Sequence, residues 1–347
     1  MDSTNTVSMP KVSVLILTYN HERYIAQAVE SALSQKTSFP IEIVIGEDCS
    51  TDHTRDILLE FERSHPETIR LLLHAQNIGP QANYAAAFAA CRGEYIAILE
   101  GDDYWTNTKK LQKQVDALDT HPEWSMCFHI TRRVYEDGSR EPELYPLDWT
   151  KEEATIDDML KGNFLNTCSQ VFRNRLFGPL PSWFLQITPA DWATNLLNAD
   201  RGLIGCVPEV MADYRIHSQG IWAGKGRAFQ LQEILKMLSH LDHHFEGKYR
   251  EPIDEYRINL VNNLVGEVEF LNNQLSHVLA IPTIVSPTSE VVLGESHIDC
   301  SETSTNIEIP LSKNRSSITE GVRKIMRPIE DKVRHARNFV SKNTLGN

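Results

Sequence analysis

The stretch VSVLILT, Val12–Thr18, determines how the first part of this chain is interpreted. It is a nearly continuous apolar run rich in β-branched residues, which is typical of a strand buried on both faces of a sheet. The next segment, HERYIAQAVESALSQ (21–35), repeats apolar residues at helical spacing. A buried strand followed directly by an amphipathic helix predicts an α/β fold with a parallel sheet.

The same alternation continues as far as residue 100. Three further runs have strand character, IEIVIGE (41–47), TIRLLLH (68–74) and EYIAILE (94–100), and helical patterns lie between them. This β-α-β-α-β-α-β series predicts a mostly parallel, Rossmann-like sheet with helices on both faces. Ligands of such sheets bind at the carboxyl ends of the strands, and acid or amide side chains follow these ends. We therefore predict a ligand site at that edge.

Two adjacent carboxylates, Asp102 and Asp103, follow the fourth predicted strand in the stretch ILEGDDYW (98–105). Neighbours on an extended chain point to opposite sides, so one acid could bind a divalent cation while the other takes a ribose hydroxyl. The alternative for an isolated pair is a solvated acidic turn. The apolar strand before the pair, the aromatic residues after it and its position at the ligand edge favour a site.

Two other strand ends carry residues suited to a nucleoside. Asp48 follows the second strand and can accept hydrogen bonds from a base or a ribose hydroxyl, while Tyr19 follows the first strand and can stack on a base. Ser50 and Asp52 read as caps of the next helix. Capping does not explain Asp48.

Composition excludes some classes of function. The 347 residues contain 34 Lys and Arg against 47 Asp and Glu, and the net charge of −13 argues against broad nucleic-acid binding. Six cysteines without a CxxC pair predict reduced thiols and a cytoplasmic location. We expect neither a signal peptide nor a membrane span. A P-loop and a GxGxxG motif are missing, which disfavours P-loop NTPases and ordinary dinucleotide oxidoreductases.

The chain is predicted to have four parts. Residues 10–226 form the α/β domain and residues 227–280 a helical extension, followed by a linker rich in Ser, Thr and Pro at 281–317 and a basic amphipathic helix at 318–343. Two of these parts leave alternatives open. A heptad pattern within 258–279 fits either a homo-oligomeric coiled coil or a helix packed on its own domain. The last helix either makes peripheral contact with the inner face of the membrane or is solvated or docked on the acidic body.

Taken together, the motifs resemble glycosyltransferase family 2 of the bacterial surface-polysaccharide type, which has the GT-A fold. The resemblance covers roughly residues 10–226. It rests on VSVLILTYNHERYIAQAVESALSQ, IGEDCSTDHT, NIGPQANYAAAFAACRGEYIAILEGDDYW, KLQKQVDAL, the pair Asp191-Trp192 and YRIHSQGIW at Tyr214–Trp222.

The resemblance implies roles for individual residues. Four would hold the donor nucleotide (Thr18, Tyr19, Asp48 and Asp102), two would hold a divalent Mn²⁺ or Mg²⁺ (Asp103 and His217), Asp191 would be the general base, and three would lie around the diphosphate and pocket (Arg215, Trp105 and Trp222). The chain has Asp191-Trp192 where many members have Glu-Asp, so the acid before the base is absent. This departure bears on how the acceptor is held.

The expected function is a metal-dependent, inverting glycosyltransferase that moves a sugar from a nucleotide-diphosphate sugar to a glycan or lipid-linked acceptor in O-antigen or capsule synthesis. One carboxylate base and a charge-neutralising metal suffice for such transfer. A sugar nucleotidyltransferase is the first alternative, but it would show a Gly-rich loop where this chain has TYNHERY (18–24). A non-catalytic nucleotide-sugar-binding scaffold is the second, and the loss of Asp191 or Asp103 would have favoured it.

Overall fold

The computed structural model describes residues 9–218, 220, 222 and 225–280. The chain divides into two compact units, Met1–Ile258 and Asn259–Asn347. The predicted linker (281–317) and basic helix (318–343) lie outside the described residues, and so does the proposed membrane contact. No helix among the described residues is both long and apolar enough to cross a membrane.

The first part of the chain alternates strands and helices as the sequence predicts. Strands β3, β2, β1 and β4 lie side by side in that order, and all of them are parallel. Their bounds and those of the intervening helices are β1 Val12–Thr18, α1 Ile25–Leu33, β2 Ile41–Glu47, α2 Thr54–Ser64, β3 Ile69–Leu73, α3 Pro80–Ala90 and β4 Tyr95–Glu100.

The remaining elements extend this sheet to ten strands. Strand β9 lies antiparallel between β4 and β6, while β6 and β10 are parallel to each other, so the complete sheet is mixed. The bounds are β5 Tyr104–Trp105, α4 Lys110–Thr120, β6 Trp124–Tyr135, β7 Glu143–Tyr145, β8 Glu153–Ala154, α5 Ile156–Leu160, β9 Val171–Arg173, α6 Ala190–Ala199, β10 Leu203–Ile216, α7 Arg227–His244 and α8 Arg250–Ala280.

The core lies where apolar strands meet apolar helix faces. All seven residues of β1 are buried, as expected for a strand covered on both faces. Helix α1 contributes Ile25, Ala28 and Val29 to the same cluster, at the spacing of one helix face. Strands β1, β2, β4, β6 and β10 all run in the same direction, so their carboxyl ends meet at one edge of the sheet.

Candidate active site

A cavity of about 1000 Å³ opens at the carboxyl edge of the sheet. Its volume is at the upper end of the range for small-molecule sites. Eight of the ten site residues named from the sequence line it: Thr18, Tyr19, Asp48, Asp102, Asp191, Arg215, His217 and Trp222. The other two, Asp103 and Trp105, lie behind its wall.

The loops after β1 and β2 are joined to each other at the cavity rim. The N–H of Asn20 donates to the hydroxyl of Ser50 (3.0 Å), and Asn20 has a left-handed φ of 57°, which Asn tolerates better than most residues. The predicted capping role of Ser50 is therefore wrong, because its hydroxyl binds the neighbouring loop. Asp52 does accept the N–H of Thr54 (3.0 Å) at the start of α2.

Asp48 supports a third loop as well as facing the cavity. Its two carboxylate oxygens accept the N–H groups of Ile78 (2.7 Å) and Gly79 (2.9 Å), and the residue is 2% exposed. Each carboxylate oxygen has a second lone pair, so these bonds leave acceptor capacity for a ligand. Tyr19, at 39% exposed, lies on the outer rim, and Thr18 is buried beside it.

Asp102 is paired with two histidines. His217 Nε2 lies 2.9 Å from Asp102 Oδ2, and His21 Nε2 lies 3.8 Å from the same oxygen. Burial opposes ionisation of Asp102, but the hydrogen bond from His217 and the charges of both histidines lower its pKa. His217 Nδ1 has no hydrogen-bond partner among the described residues, although it is buried. The cavity therefore contains an ionised carboxylate and imidazole nitrogens, a donor set suited to Mn²⁺.

Asp103 has different surroundings. Its side chain is buried behind the cavity wall, where Oδ1 accepts the N–H of Arg215 (2.8 Å). Burial and the neighbouring charge of Asp102 raise its pKa well above the usual range. The N–H of Asp103 donates to the carbonyl of Glu100 (3.1 Å), so the chain turns here and is not extended. The alternation of an extended strand therefore does not apply, and the structure brings Asp102 to His217 instead of Asp103.

Trp105 belongs to the core, and the prediction that it lines the pocket is wrong. It is 4% exposed, and its indole N–H donates to the carbonyl of Cys168 (2.9 Å). Its strand β5 pairs with β10 through Ala212, which turns the ring inward onto Lys110 (4.1 Å from Nζ to the ring centroid).

Asp191 lies in the first turn of α6, where it faces the cavity. Asn163 Nδ2 and the hydroxyl of Thr167 each lie 3.4 Å from Asp191 Oδ2. Burial raises the pKa of this carboxyl, and the hydrogen bonds oppose the increase only in part. A carboxylate with a raised pKa on a cavity wall is suited to accept a proton.

Arg215 and Trp222 complete the predicted set. The guanidinium of Arg215 donates to the carbonyl of Asp102 and to the side chain of Gln27, so both of its terminal nitrogens are already engaged. Trp222 lines the cavity, and its carbonyl accepts from Gln230 Nε2 (2.9 Å) on α7.

Several lining residues were not identified from the sequence. His21 could have been noticed because it directly follows the loop after β1, and Glu100 because it ends β4. Burial and the charges of Asp102, Asp103 and Asp191 raise the pKa of Glu100 well above its usual range. No local pattern pointed to the other lining residues, which lie on β6, β7 and the chain before α6: Arg133, Tyr145, Asn163, Asn166 and Thr167.

A second group of possible metal ligands lies at the other edge of the sheet. Ligand atoms of His121, Glu123 and Glu153 lie within 4.8 Å of one another. His121 and Glu123 precede the amino end of β6, so this group is separate from the cavity. Its members already have protein partners, since His121 contacts Glu123 (2.9 Å) and Glu153 accepts from the Trp124 indole (2.7 Å).

Comparison with known proteins agrees with this architecture. Residues 13–177 match the glycosyl transferase family 2 profile. The chain is 39% identical over 241 residues to the Escherichia coli UDP-Glc:alpha-D-GlcNAc-diphosphoundecaprenol beta-1,3-glucosyltransferase WfaP, an alignment that covers 68% of this chain and 90% of that protein. It is 32% identical over 226 residues to the Bacillus subtilis putative teichuronic acid biosynthesis glycosyltransferase TuaG (63% and 84% covered).

An uncharacterized protein of Mycobacterium tuberculosis is 42% identical over 212 residues, which is 61% of this chain. This chain spans only 60% of that mycobacterial relative.

Two solved structures share the fold at low identity. Residues 1–349 of Staphylococcus aureus TarS, in complex with UDP-GlcNAc, give a TM-score of 0.51 at 20% identity, with 73% of this chain and 80% of that chain covered. The mannosyltransferase PcManGT of Pyrobaculum calidifontis, in complex with GDP-Man and Mn²⁺, gives 0.52 at 17% identity, with 79% and 82% covered. The two structures show the fold, which is GT-A, while the family profile and the relatives above show that the chain belongs to glycosyl transferase family 2.

Proposed function

We propose that this protein transfers a sugar from a nucleotide-diphosphate sugar to a hydroxyl of a glycan or lipid-linked acceptor, with inversion at the anomeric carbon and with a divalent metal. The observation that carries the proposal is that the Asp102–His217 pair and Asp191 line one cavity at the carboxyl edge of the sheet. The name of WfaP, which acts on a diphosphoundecaprenol-linked sugar, supports a lipid-linked acceptor. The proposed setting is assembly of a surface polysaccharide, and the name of TuaG, a putative teichuronic acid biosynthesis enzyme, supports it.

The donor is proposed to bind across the loops after β1, β2 and β4. Tyr19 would stack on the base, and Asp48 would accept hydrogen bonds from the nucleoside. Thr18, which is buried beside Tyr19, would also contact the nucleoside. The donors held by TarS and PcManGT are a uridine and a guanosine nucleotide sugar, so the fold accommodates both bases.

The metal is proposed to be held by Asp102 and His217, with Asp103 as a buried support behind them. This moves the metal-binding role from Asp103, where the resemblance placed it, to Asp102. The buried Nδ1 of His217 and the lowered pKa of Asp102 fit a cation at this position. When bound, a divalent cation neutralises negative charge that develops on the leaving diphosphate.

Asp191 is proposed to act as the general base. It would accept the proton of the acceptor hydroxyl as that oxygen forms a bond to the anomeric carbon and the bond from that carbon to the diphosphate oxygen breaks. Attack opposite the leaving group inverts the anomeric centre, and no enzyme nucleophile is needed. Asn163 and Thr167 would orient the carboxylate.

A thermal-shift screen of UDP-, GDP-, CDP- and dTDP-sugars tests the donor side. We expect sugars of one nucleobase to stabilise the protein, by several degrees and only with Mn²⁺, because a ligand that binds the native state alone raises its stability. If no nucleotide sugar stabilises the protein with or without Mn²⁺, the proposal is wrong.

Asp191→Asn tests the base. The variant should keep the donor-induced shift but lose transfer by about 100-fold or more, measured with the cognate donor and an acceptor mixture extracted from the source cells. Because burial raises the pKa of Asp191, wild-type transfer should also decline on the acid side at a higher pH than expected for an exposed aspartate. Transfer by the variant at the wild-type rate would exclude Asp191 as the base.

A further inference from the structure

Two consecutive arginines on β6 have different surroundings. Arg132 forms a bidentate ion pair with Asp213 (2.9 and 2.6 Å). Arg133 is on the opposite face and lines the cavity. Its ion pair with Glu143 is long (4.0 Å), and its Nε is buried without a hydrogen-bond partner among the described residues. Arg133 thus presents a cation to the cavity whose charge is only weakly compensated by the described side chains.

The guanidinium of Arg133 is held in a fixed plane. It lies 3.4 Å from the ring centroid of Tyr145, and one of its terminal nitrogens donates to Asn166 Oδ1 (3.3 Å). Asn166 is itself held by Thr131, whose hydroxyl accepts from Asn166 Nδ2 (2.7 Å). A planar guanidinium held in this way can form paired hydrogen bonds with a phosphate or a carboxylate.

Arg133 lies at the Asp191 end of the cavity. Two short chains of contacts connect them. The first runs through Asn166 to Thr167, its neighbour in sequence, whose hydroxyl donates to Asp191 Oδ2 (3.4 Å). The second runs through Tyr145, whose hydroxyl donates to the carbonyl of Asn163 (2.5 Å). The side-chain amide of Asn163 donates in turn to Asp191 Oδ2. The Asp102–His217 pair, proposed above to hold the metal at the donor diphosphate, takes no part in these two chains of contacts.

We propose that Arg133 binds an oxyanion carried by the acceptor, a phosphate or a carboxylate attached to the sugar whose hydroxyl faces Asp191. This rests on the proposed function, because it takes Asp191 as the base and hence this end of the cavity as the acceptor site. Arg133 would then select charged acceptors over neutral ones.

Three probes with one sugar ring test this selection: octyl glucoside, octyl glucuronide and glucosyl octyl diphosphate. Their binding to the full chain is measured by ligand-observed NMR in the presence of Mg²⁺, which is diamagnetic, and the nucleoside diphosphate found in the donor screen. We expect wild type to bind at least one charged probe about ten-fold or more tightly than the neutral one. Whether the carboxylate or the diphosphate probe is preferred identifies which anion the acceptor carries.

Arg133→Gln should abolish this preference and leave the affinity for octyl glucoside and the nucleotide-induced thermal shift unchanged. Arg133→Lys should retain part of the preference, since lysine keeps the positive charge but lacks the paired N–H donors of a planar guanidinium. Arg63→Gln, a change at an arginine on α2 whose side chain is 74% exposed, is the matched control and should behave as wild type.

Equal binding of charged and neutral probes by wild type would overturn the proposal, and so would an unchanged preference in Arg133→Gln. A smaller nucleotide-induced thermal shift in Arg133→Gln would also overturn the proposal, because the guanidinium would then belong to the donor site. Failure of the proposed function itself looks different: no nucleotide sugar would stabilise the wild-type protein.

Discussion

Asp102 and Asp103 are neighbours in sequence, yet the pKa values of their carboxyl groups are shifted in opposite directions. Hydrogen bonding to His217 and the charges of two histidines lower the pKa of Asp102 despite its burial, whereas burial and the charge of Asp102 raise that of Asp103. Two carboxyls this close cannot both ionise at low cost. The one that remains ionised faces the cavity, and the other is suited to a neutral, structural role.

Replacing each aspartate by asparagine distinguishes these roles. Asp102→Asn should remove the Mn²⁺-dependent part of donor binding, because it removes the ionised ligand. Asp103→Asn should keep it, because asparagine matches a protonated aspartic acid in shape and can still accept the N–H of Arg215. Isothermal titration calorimetry of the cognate nucleoside diphosphate, with and without Mn²⁺, measures the Mn²⁺-dependent part of binding in each variant. The reverse result would restore the assignment made from the sequence.

At the level of elements, α4 carries an unusual buried charge. Lys110 is 0% exposed, and its Nζ has no hydrogen-bond partner among the described residues. Its ammonium faces the Trp105 ring, which offsets part of the cost of burying it. Burial lowers the pKa of Lys110 from 10.5 to about 7. The folded state therefore loses a proton from this group more readily than the unfolded chain does.

Lys110→Met should stabilise the protein, by roughly 1 kcal/mol or more below pH 7. There the lysine is charged in both states, so the folded protein bears the full desolvation cost. As pH rises from about 7 towards 10.5, the lysine is neutral in the folded protein and the desolvation cost decreases. The difference in the free energy of unfolding between variant and wild type should therefore become smaller. Urea unfolding at pH 6, 8 and 9.5 measures this gap.

Lys113→Met, one turn further along α4, is the control for this prediction. Lys113 is partly exposed and pairs with Glu209, so its replacement should give little stabilisation and no narrowing of the gap with pH. If Lys110→Met were destabilising at every pH, the lysine would be contributing a favourable interaction that outweighs its burial.

For the whole molecule, the compact unit that contains the cavity is longer than the predicted α/β domain. The predicted α/β domain stops at residue 226, but the compact unit extends to Ile258 and includes α7. Helix α7 buries Leu231, Ile234, Met237, Leu238 and Leu241. At about 1.5–3 kcal/mol for each buried apolar side chain, this burial is comparable to the total stability of a typical domain.

A chain ending at residue 226 should therefore fail to fold, whereas one ending at 258 should fold and show the Mn²⁺-dependent donor shift. Circular dichroism melting and the thermal-shift assay measure both outcomes. Cooperative unfolding of the 226-residue chain near the wild-type midpoint would contradict the importance assigned to α7.

The chain ending at 258 also tests the heptad pattern in 258–279. If that pattern forms a coiled coil, light scattering should give a dimeric or larger mass for the full chain and a single-chain mass after truncation. A full chain with the mass of one polypeptide would reject the coiled coil.

The sequence alone determined the elements whose pattern is local. Strands β1 to β4 and their helices follow from apolar periodicity, which depends on near neighbours, and the family motifs identified eight residues that the structure brings into one cavity. The short strands β5, β7, β8 and β9 were not predicted, because two or three residues are too few to show a periodic pattern. The break between α7 and α8 was missed because both sides are helical.

Only the tertiary structure decided which way individual side chains face. The turn after Glu100 directs Asp102 to His217, pairing with β10 turns Trp105 into the core, and the twofold alternation of β6 directs Arg133 into the cavity while Arg132 pairs with Asp213. The physical reason is that the direction of a side chain at the end of a strand depends on backbone turns and on partners about a hundred residues away. Local sequence patterns do not contain that information.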